Sequence, residues 1–134
     1  MVRRRSSFGF LGRFGRSEDL RSLDAALRAV DLHPALVPEG VKLAIVNLMK
    51  DHDPQGEPPP HAYPFVASFF AFCLIGPENF AGANSEEAAE TELARLESAI
   101  SSGEGLDAEL VLLAIHAGLI NPALREEYDL SAAG

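Results

Sequence analysis

Apolar residues recur at helical spacing soon after residue 17. Ser17 is a favourable N-cap, and Pro34 predicts the end of the helix because the residue before a proline avoids helical geometry. The apolar stripe of this first helix consists of Leu20, Leu23, Leu27 and Val30. The charged residues expected on its outer side are Arg21, Asp24 and Arg28. The pattern therefore predicts an amphipathic helix with one buried face.

A second apolar stripe follows Pro38, which suits the first position of a helix because its missing N–H is not needed there. The residues at the positions of the helical template are all apolar: Val41, Ala44, Ile45, Leu48 and Met49. Residues 51–61 are polar and contain Gly56 and the three prolines at 58–60. We expect them to form an extended, exposed connection to the next helix.

The most apolar segment begins at Pro64 and reads PFVASFFAFCLIG. It is apolar on every side at helical spacing, and no apolar run in the chain reaches the ~18–20 residues that span a bilayer. We therefore predict a core helix from Pro64 to about Ile75, ended by Gly76 and Pro77. An apolar ligand pocket lined by its phenylalanines is an alternative, although the core of a small domain requires the same rings.

Capping residues indicate three further helices. The expected N-caps are Asn84 or Ser85 for the fourth helix, Asp107 for the fifth and Asn121 for the sixth. The fourth helix has a strongly acidic outer face and an apolar stripe formed by Ala89, Leu93, Leu96 and Ile100. The fifth is expected over residues 108–117 and the short sixth over residues 122–128.

Short helices without a strand pattern predict an all-α, single-domain irregular bundle of about five to six helices. Residues 17–134 are expected to form an acidic helical domain, preceded by a basic N-terminal tail, residues 1–16. One internal similarity relates residues 26–36 (ALRAVDLHPAL) to residues 114–124 (AIHAGLINPAL). It fits either an internal duplication or the same helix-end chemistry used twice.

Charge is divided unevenly along the chain. The 134 residues include 11 basic and 20 acidic side chains, for a formal net charge of −9. Five of the 11 basic residues lie in residues 1–16, which contain no acidic residue, so the rest of the chain has six basic and 20 acidic side chains and a net charge of −14. Because like charges repel, the acidic part disfavours nucleic acid and anionic membranes. Only the tail has the sign that attracts them.

The tail combines arginines with large apolar side chains, which commonly anchor protein interfaces. The expected partner-binding residues are Arg3, Arg4, Arg5, Phe8, Phe10, Leu11, Arg13, Phe14 and Arg16. We therefore expect a non-catalytic protein–protein interaction module, an adaptor or assembly protein, that binds a protein partner or a second copy through the tail and the acidic body. Peripheral binding to anionic membrane or nucleic acid through the arginines is the alternative. A plain disordered terminus or an organellar targeting segment has the same composition.

Candidate chemistry is sparse. His52 and His61, with a nearby carboxylate, offer imidazole and oxygen ligands, so a small metal- or ligand-binding domain is a lower-ranked alternative. His116 lies seven residues after Glu109 on one side of the fifth helix, where a general base is conceivable. Cys73 has apolar neighbours, which favour burial over nucleophilic reactivity. Since no catalytic or metal-binding motif occurs, we favour a non-enzyme without a cofactor, and the single cysteine fits a cytoplasmic protein.

Overall fold

A computed structural model describes residues 17–130 of the chain. Within this range the structure contains six α-helices, one 3-10 turn at Pro34–Leu36, and no strand. The helices are α1 (Glu18–Ala29), α2 (Glu39–His52), α3 (Ala62–Ala83), α4 (Glu86–Ser102), α5 (Leu106–His116) and α6 (Pro122–Tyr128). The predicted all-α bundle is therefore confirmed.

The central element is α3, which packs against α1, α4, α5 and α6. The remaining long helix, α2, packs against α1 and α5. Four phenylalanines of α3 form the middle of the core and are at most 1% exposed: Phe69, Phe70, Phe72 and Phe80. The rings of Phe72 and Phe80 meet edge to face, with centroids 5.7 Å apart. The predicted core helix is thus confirmed.

Among the described helices, α3 alone has the length and composition of a membrane span. It has 22 residues, more than the apolar segment predicted from the sequence. Half of its most apolar 18-residue window is buried against the other helices.

A kink at Gly76 divides α3. Gly76 has φ 87° and ψ 167°, a backbone conformation that residues with a Cβ rarely adopt. Pro77 has no N–H, so the carbonyl of Cys73 loses its helical donor, and it accepts a hydrogen bond of 2.8 Å from the backbone N–H of Asn121 instead. The predicted interruption at Gly76 is correct, but the helix resumes at Pro77 and continues to Ala83.

Several helix starts agree with the predicted caps. The Ser17 hydroxyl accepts a hydrogen bond from the N–H of Leu20, and the Asn121 side chain accepts from the N–H of Ala123 and of Leu124. Of the two candidates for α4, Ser85 is the cap, since its hydroxyl accepts from the N–H of Ala88. These caps satisfy N–H groups that have no partner within the helix.

Other predicted helix starts were wrong by one or two residues. Pro38 is the N-cap of α2 rather than its first residue, and α3 begins at Ala62 rather than Pro64. The N-cap of α5 is Gly105, and Asp107 lies inside the first turn with its carboxylate directed to another helix. Asp107 does not cap α5 because its carboxylate forms an ion pair with Arg95, which is described below.

The predicted outer faces contain two buried carboxylates. Asp24 of α1 is 9% exposed, and its Oδ1 lies 3.1 Å from Nζ of Lys42 in α2. Glu92 of α4 is 6% exposed. The expectation that Asp24 lies on the outer side of α1 was wrong, because a lysine distant in sequence supplies the charge that permits its burial.

The internal similarity coincides with two equivalent turns. Nδ1 of His33 accepts a hydrogen bond from the N–H of Ala35, and Oδ1 of Asn121 accepts from the N–H of Ala123. Each polar side chain thus caps a turn that begins with the following proline. The same helix-end chemistry accounts for the shared polar-Pro-Ala-Leu step.

Candidate interaction surface

The most connected polar residue of the described chain is Arg95 of α4. Its guanidinium carbon lies 3.7 Å from the ring centroid of Phe65 and 4.6 Å from that of Phe69. Both rings belong to α3, so the cation is held against the aromatic surface of the central helix. Contacts of this kind are attractive because a ring face carries partial negative charge.

Hydrogen bonds connect Arg95 to three helices. Its Nε and Nη2 donate to the two carboxylate oxygens of Asp107 in α5, at 3.1 and 2.8 Å. Its Nη1 donates to Glu92 and to the backbone carbonyl of Phe65, both at 2.9 Å. Glu92 also accepts a hydrogen bond of 2.8 Å from the hydroxyl of Ser68. Because these donors are already occupied, the cluster joins α3, α4 and α5 rather than offering a guanidinium to a ligand.

A second polar cluster joins the start of α1 to α2 and α3. The hydroxyl of Tyr63 donates a 2.7 Å hydrogen bond to Asp19, whose other oxygen lies 3.1 Å from Nζ of Lys50. The hydrogen bond from Tyr63 lowers the pKa of the Asp19 carboxyl below its ordinary value, against the opposing effect of burial. Burial and the hydrogen bond to Asp19 raise the pKa of Tyr63. Both shifts favour an ionised Asp19 carboxylate that accepts the hydrogen bond and a protonated Tyr63 hydroxyl that donates it.

The histidines are separated by the fold. His52 lies 3.1 Å from a carboxylate oxygen of Glu109, which joins the end of α2 to α5. His61 is exposed at the start of α3, and His116 is exposed at the end of α5. Glu109 therefore contacts His52, not His116. In residues 17–130, no three His, Cys, Asp or Glu side chains are grouped closely enough to hold a metal ion.

Cys73 is a free and fully buried cysteine in the middle of α3. Burial raises the pKa of its thiol, and the nearby charge of Asp107 acts in the same direction. A thiol with a raised pKa is a poor nucleophile at neutral pH. The prediction that Cys73 packs in the core is confirmed.

The body of the domain uses its basic side chains internally. Among the six basic residues in residues 17–130, Lys42, Lys50 and Arg95 are seen in ion pairs with carboxylates. Lys42 is buried, and Arg95 is covered by aromatic rings. Because each of these cations is paired with a carboxylate of the bundle, the surface keeps the acidic excess that the composition indicates.

An apolar cleft of about 230 Å³ lies between α4 and α5. Two of its lining residues are large and exposed, Ile100 at 38% and Leu112 at 51%. The remaining lining residues are Ala99, Gly103, Ala108, Val111, Ile115 and Leu130. Hereafter the α4–α5 cleft denotes these eight residues. Exposed apolar side chains beside a concave surface are typical of interaction sites.

The partner-binding residues predicted from the sequence all belong to residues 1–16 and lie outside the described range. Sequence reasoning missed the two features that define the described surface, the Arg95 cluster and the α4–α5 cleft. The spacing of Glu92 and Arg95 permits an ion pair on one helix, which was the available signal. For the cleft there was no such signal, because Ile100 and Leu112 resemble ordinary core residues.

Comparisons of the chain with protein-family models, with curated proteins and with solved structures find no match. The class that the structure defines is an acidic all-α bundle with an apolar surface cleft. Its function is therefore argued from its own residues.

Proposed function

We propose that this protein is a non-catalytic, cytoplasmic interaction module that binds a protein partner or a second copy through its basic tail and its acidic helical body. The observation that carries the proposal is the separation of charge: residues 1–16 contain five arginines and no acid, while the rest of the chain has a net charge of −14. Opposite charges on two parts of one molecule favour contacts between copies, or with a partner whose surface charge is opposite to that of either part.

The internal use of basic residues supports this proposal. Lys42 and Arg95 are held in ion pairs within the bundle, so they do not neutralise the outer carboxylates. The exposed acidic surface is thus available to a basic ligand. Weak individual pairs become significant when several act together on one segment, although each remains sensitive to salt.

The proposal also agrees with the state of the candidate reactive groups. Cys73 is enclosed by the core, and His52 is engaged with Glu109. An acidic surface opposes close approach to phosphate, which makes anionic membrane or nucleic acid a less favourable target than protein.

The test compares the full chain with two tail variants. One replaces the five tail arginines with glutamine, and the other replaces Phe8, Phe10 and Phe14 with alanine. We expect both variants to lose proteins recovered by affinity purification, or to lose mass in light scattering if the partner is a second copy. The matched control replaces the exposed body residues Arg28 and Arg125 with glutamine. We expect it to keep both the recovered proteins and the mass of the unmodified chain.

Circular dichroism checks that all the variants have equal helix content, so that a loss of binding is not a loss of folding. Unchanged mass and an unchanged set of partners in the tail variants would contradict the proposal. Tail-dependent binding to anionic vesicles or duplex DNA at low salt, without any protein partner, would instead support the alternative function.

A further inference from the structure

We propose that the α4–α5 cleft binds the basic tail of a second copy of this chain. This inference rests on the proposed function and adds to it the receptor surface and the occupant. The cleft is lined by apolar residues and glycine, and Ile100 and Leu112 leave much of their side chains in solvent. Covering this surface with apolar side chains would remove it from water.

The surroundings of the cleft have the charge that the tail requires. Residues 86–130 contain 11 acidic and two basic side chains, and one of those two, Arg95, is engaged with Glu92 and Asp107. The exposed residues Glu104 and Asp129 directly follow or precede the lining residues Gly103 and Leu130. An apolar cleft with acidic neighbours favours a ligand that combines large apolar and basic side chains.

The tail has this combination within one short segment. Residues 8–16 read FGFLGRFGR, with three phenylalanines, one leucine and two arginines. By contrast, the four residues that follow Leu130 are Ser, Ala, Ala and Gly, which provide no large side chain for the cleft. Of the segments outside the described range, the tail therefore has the matching chemistry.

The size of the cleft favours side chains over a small molecule. Its volume of about 230 Å³ lies below the ~300–1,000 Å³ of ordinary ligand pockets. Gly103 ends α4 in the left-handed region at φ 69°, and a Cβ placed there would meet no atom within 4 Å. The cleft is thus open above Gly103, where an entering ring has room.

The position of the tail favours a second copy over the same molecule. The tail joins the body at Ser17, before α1, and α1 packs against α2 and α3 but does not contact α4 or α5 in the described bundle. Neighbouring helix axes are ~8–10 Å apart, so crossing from α1 past α3 to α4 requires about 16–20 Å. Arg13 to Ser17 spans at most ~14 Å when extended. The backbone of residues 13–16 therefore cannot reach the cleft of its own copy, whereas a second copy can present the whole segment.

The location is tested by photo-cross-linking of the full chain. Phe10→p-benzoylphenylalanine places a reactive ring in the tail, and a mixture of ¹⁴N- and ¹⁵N-labelled protein distinguishes links between copies from links within one copy. We expect mixed-isotope links from position 10 to residues 99–115 or to Leu130, which together include all the residues of the cleft. Links to this region only within one copy, or links to any other region, would overturn the inference.

The energetic contribution is tested with Leu112→Lys in the full chain. This variant replaces an exposed apolar contact with a charge that repels the arginines. Leu43→Lys is the matched control, since Leu43 is 47% exposed on α2 and does not line the cleft. In sedimentation experiments we expect Leu112→Lys to weaken self-association about tenfold, as for a central interface side chain. Equal self-association of the two variants would overturn the inference.

The two proposals fail in different ways. If the tail variants lose a protein partner but position 10 links to a different protein, the cleft inference fails and the interaction function stands. If the tail variants change neither the mass nor the recovered proteins, both fail.

Discussion

The Arg95 cluster permits a specific prediction about stability. Arg95→Ala removes a two-pronged ion pair with Asp107 and a hydrogen-bonded ion pair with Glu92. It also removes the guanidinium from the rings of Phe65 and Phe69. We expect this variant to unfold more easily than any variant of an exposed arginine.

The magnitude follows from what remains after the substitution. The side chain of Glu92 is 8% exposed, so its carboxylate stays buried with only the hydroxyl of Ser68 as a donor. Removing one partner of a buried ion pair typically costs ~3–5 kcal/mol. Domains have a total stability of ~5–15 kcal/mol, so this loss is a large fraction of it. In a domain of this size each kcal/mol lowers the Tm by about 4 °C, which corresponds to a decrease of ~12–20 °C.

The assay is urea denaturation followed by circular dichroism, supported by thermal unfolding. Arg28→Ala is the control, because Arg28 is an exposed residue on α1 and substitutions of this type usually change stability by less than ~0.5 kcal/mol. Adding Glu92→Gln to Arg95→Ala removes the unpaired buried charge. We expect the double variant to recover part of the lost stability.

A loss below ~1 kcal/mol in Arg95→Ala would refute this reasoning, since that is the range of exposed ion pairs. A double variant less stable than Arg95→Ala would show that the penalty does not arise from the unpaired charge of Glu92.

Three further expectations concern other parts of the fold. Gly76→Ala should destabilise the protein by ~1–3 kcal/mol in urea denaturation, because the new Cβ would lie 2.8 Å from a side-chain atom and the residue has a left-handed φ. Gly82→Ala, where a Cβ would meet no atom within 4 Å, should instead stabilise the protein by up to ~1 kcal/mol. Equal effects of the two substitutions would contradict the account of the kink. The hydrogen bond to Glu97 raises the pKa of Tyr128 to about 12. The contribution of this hydrogen bond to stability is therefore complete below pH 10 and is lost as the pH rises through about 12. Spectroscopic titration should find a lower tyrosine pKa in Glu97→Gln, and an unchanged titration curve would contradict this assignment. Cys73 should react with a thiol reagent only at the rate of unfolding, and rapid labelling of the folded protein would show that the core opens locally.

Much of the secondary structure was predictable because its determinants are local. The stripe of Leu20, Leu23 and Leu27 is buried as its spacing predicts. The caps at Ser17 and Asn121 also form as predicted, since a capping side chain bonds to N–H groups two or three residues away. Such features require no knowledge of the rest of the chain.

Features that depend on distant residues were not predictable in the same way. Asp107 has the sequence context of an N-cap, yet Arg95 in the preceding helix binds its carboxylate. The continuation of α3 beyond Pro77 depends on the N–H of Asn121, which satisfies the carbonyl that the proline leaves without a donor. In both cases the hydrogen-bond partner comes from a residue distant in sequence, which reasoning from the local sequence could not identify.

The sequence by itself determined the helical class, the central position of the phenylalanine-rich segment and the division of charge between residues 1–16 and the body, because periodicity, capping and charge are properties of short segments. Only the tertiary structure decided which charges are enclosed and which apolar side chains remain outside. Asp24 is buried because Lys42 of another helix forms an ion pair with it. Glu92 is buried because Arg95, one turn further along α4, forms an ion pair with it beside α3. Ile100 and Leu112 remain partly exposed and line the cleft between α4 and α5. Burial is settled by which helices pack together, and spacing along one helix does not contain that information.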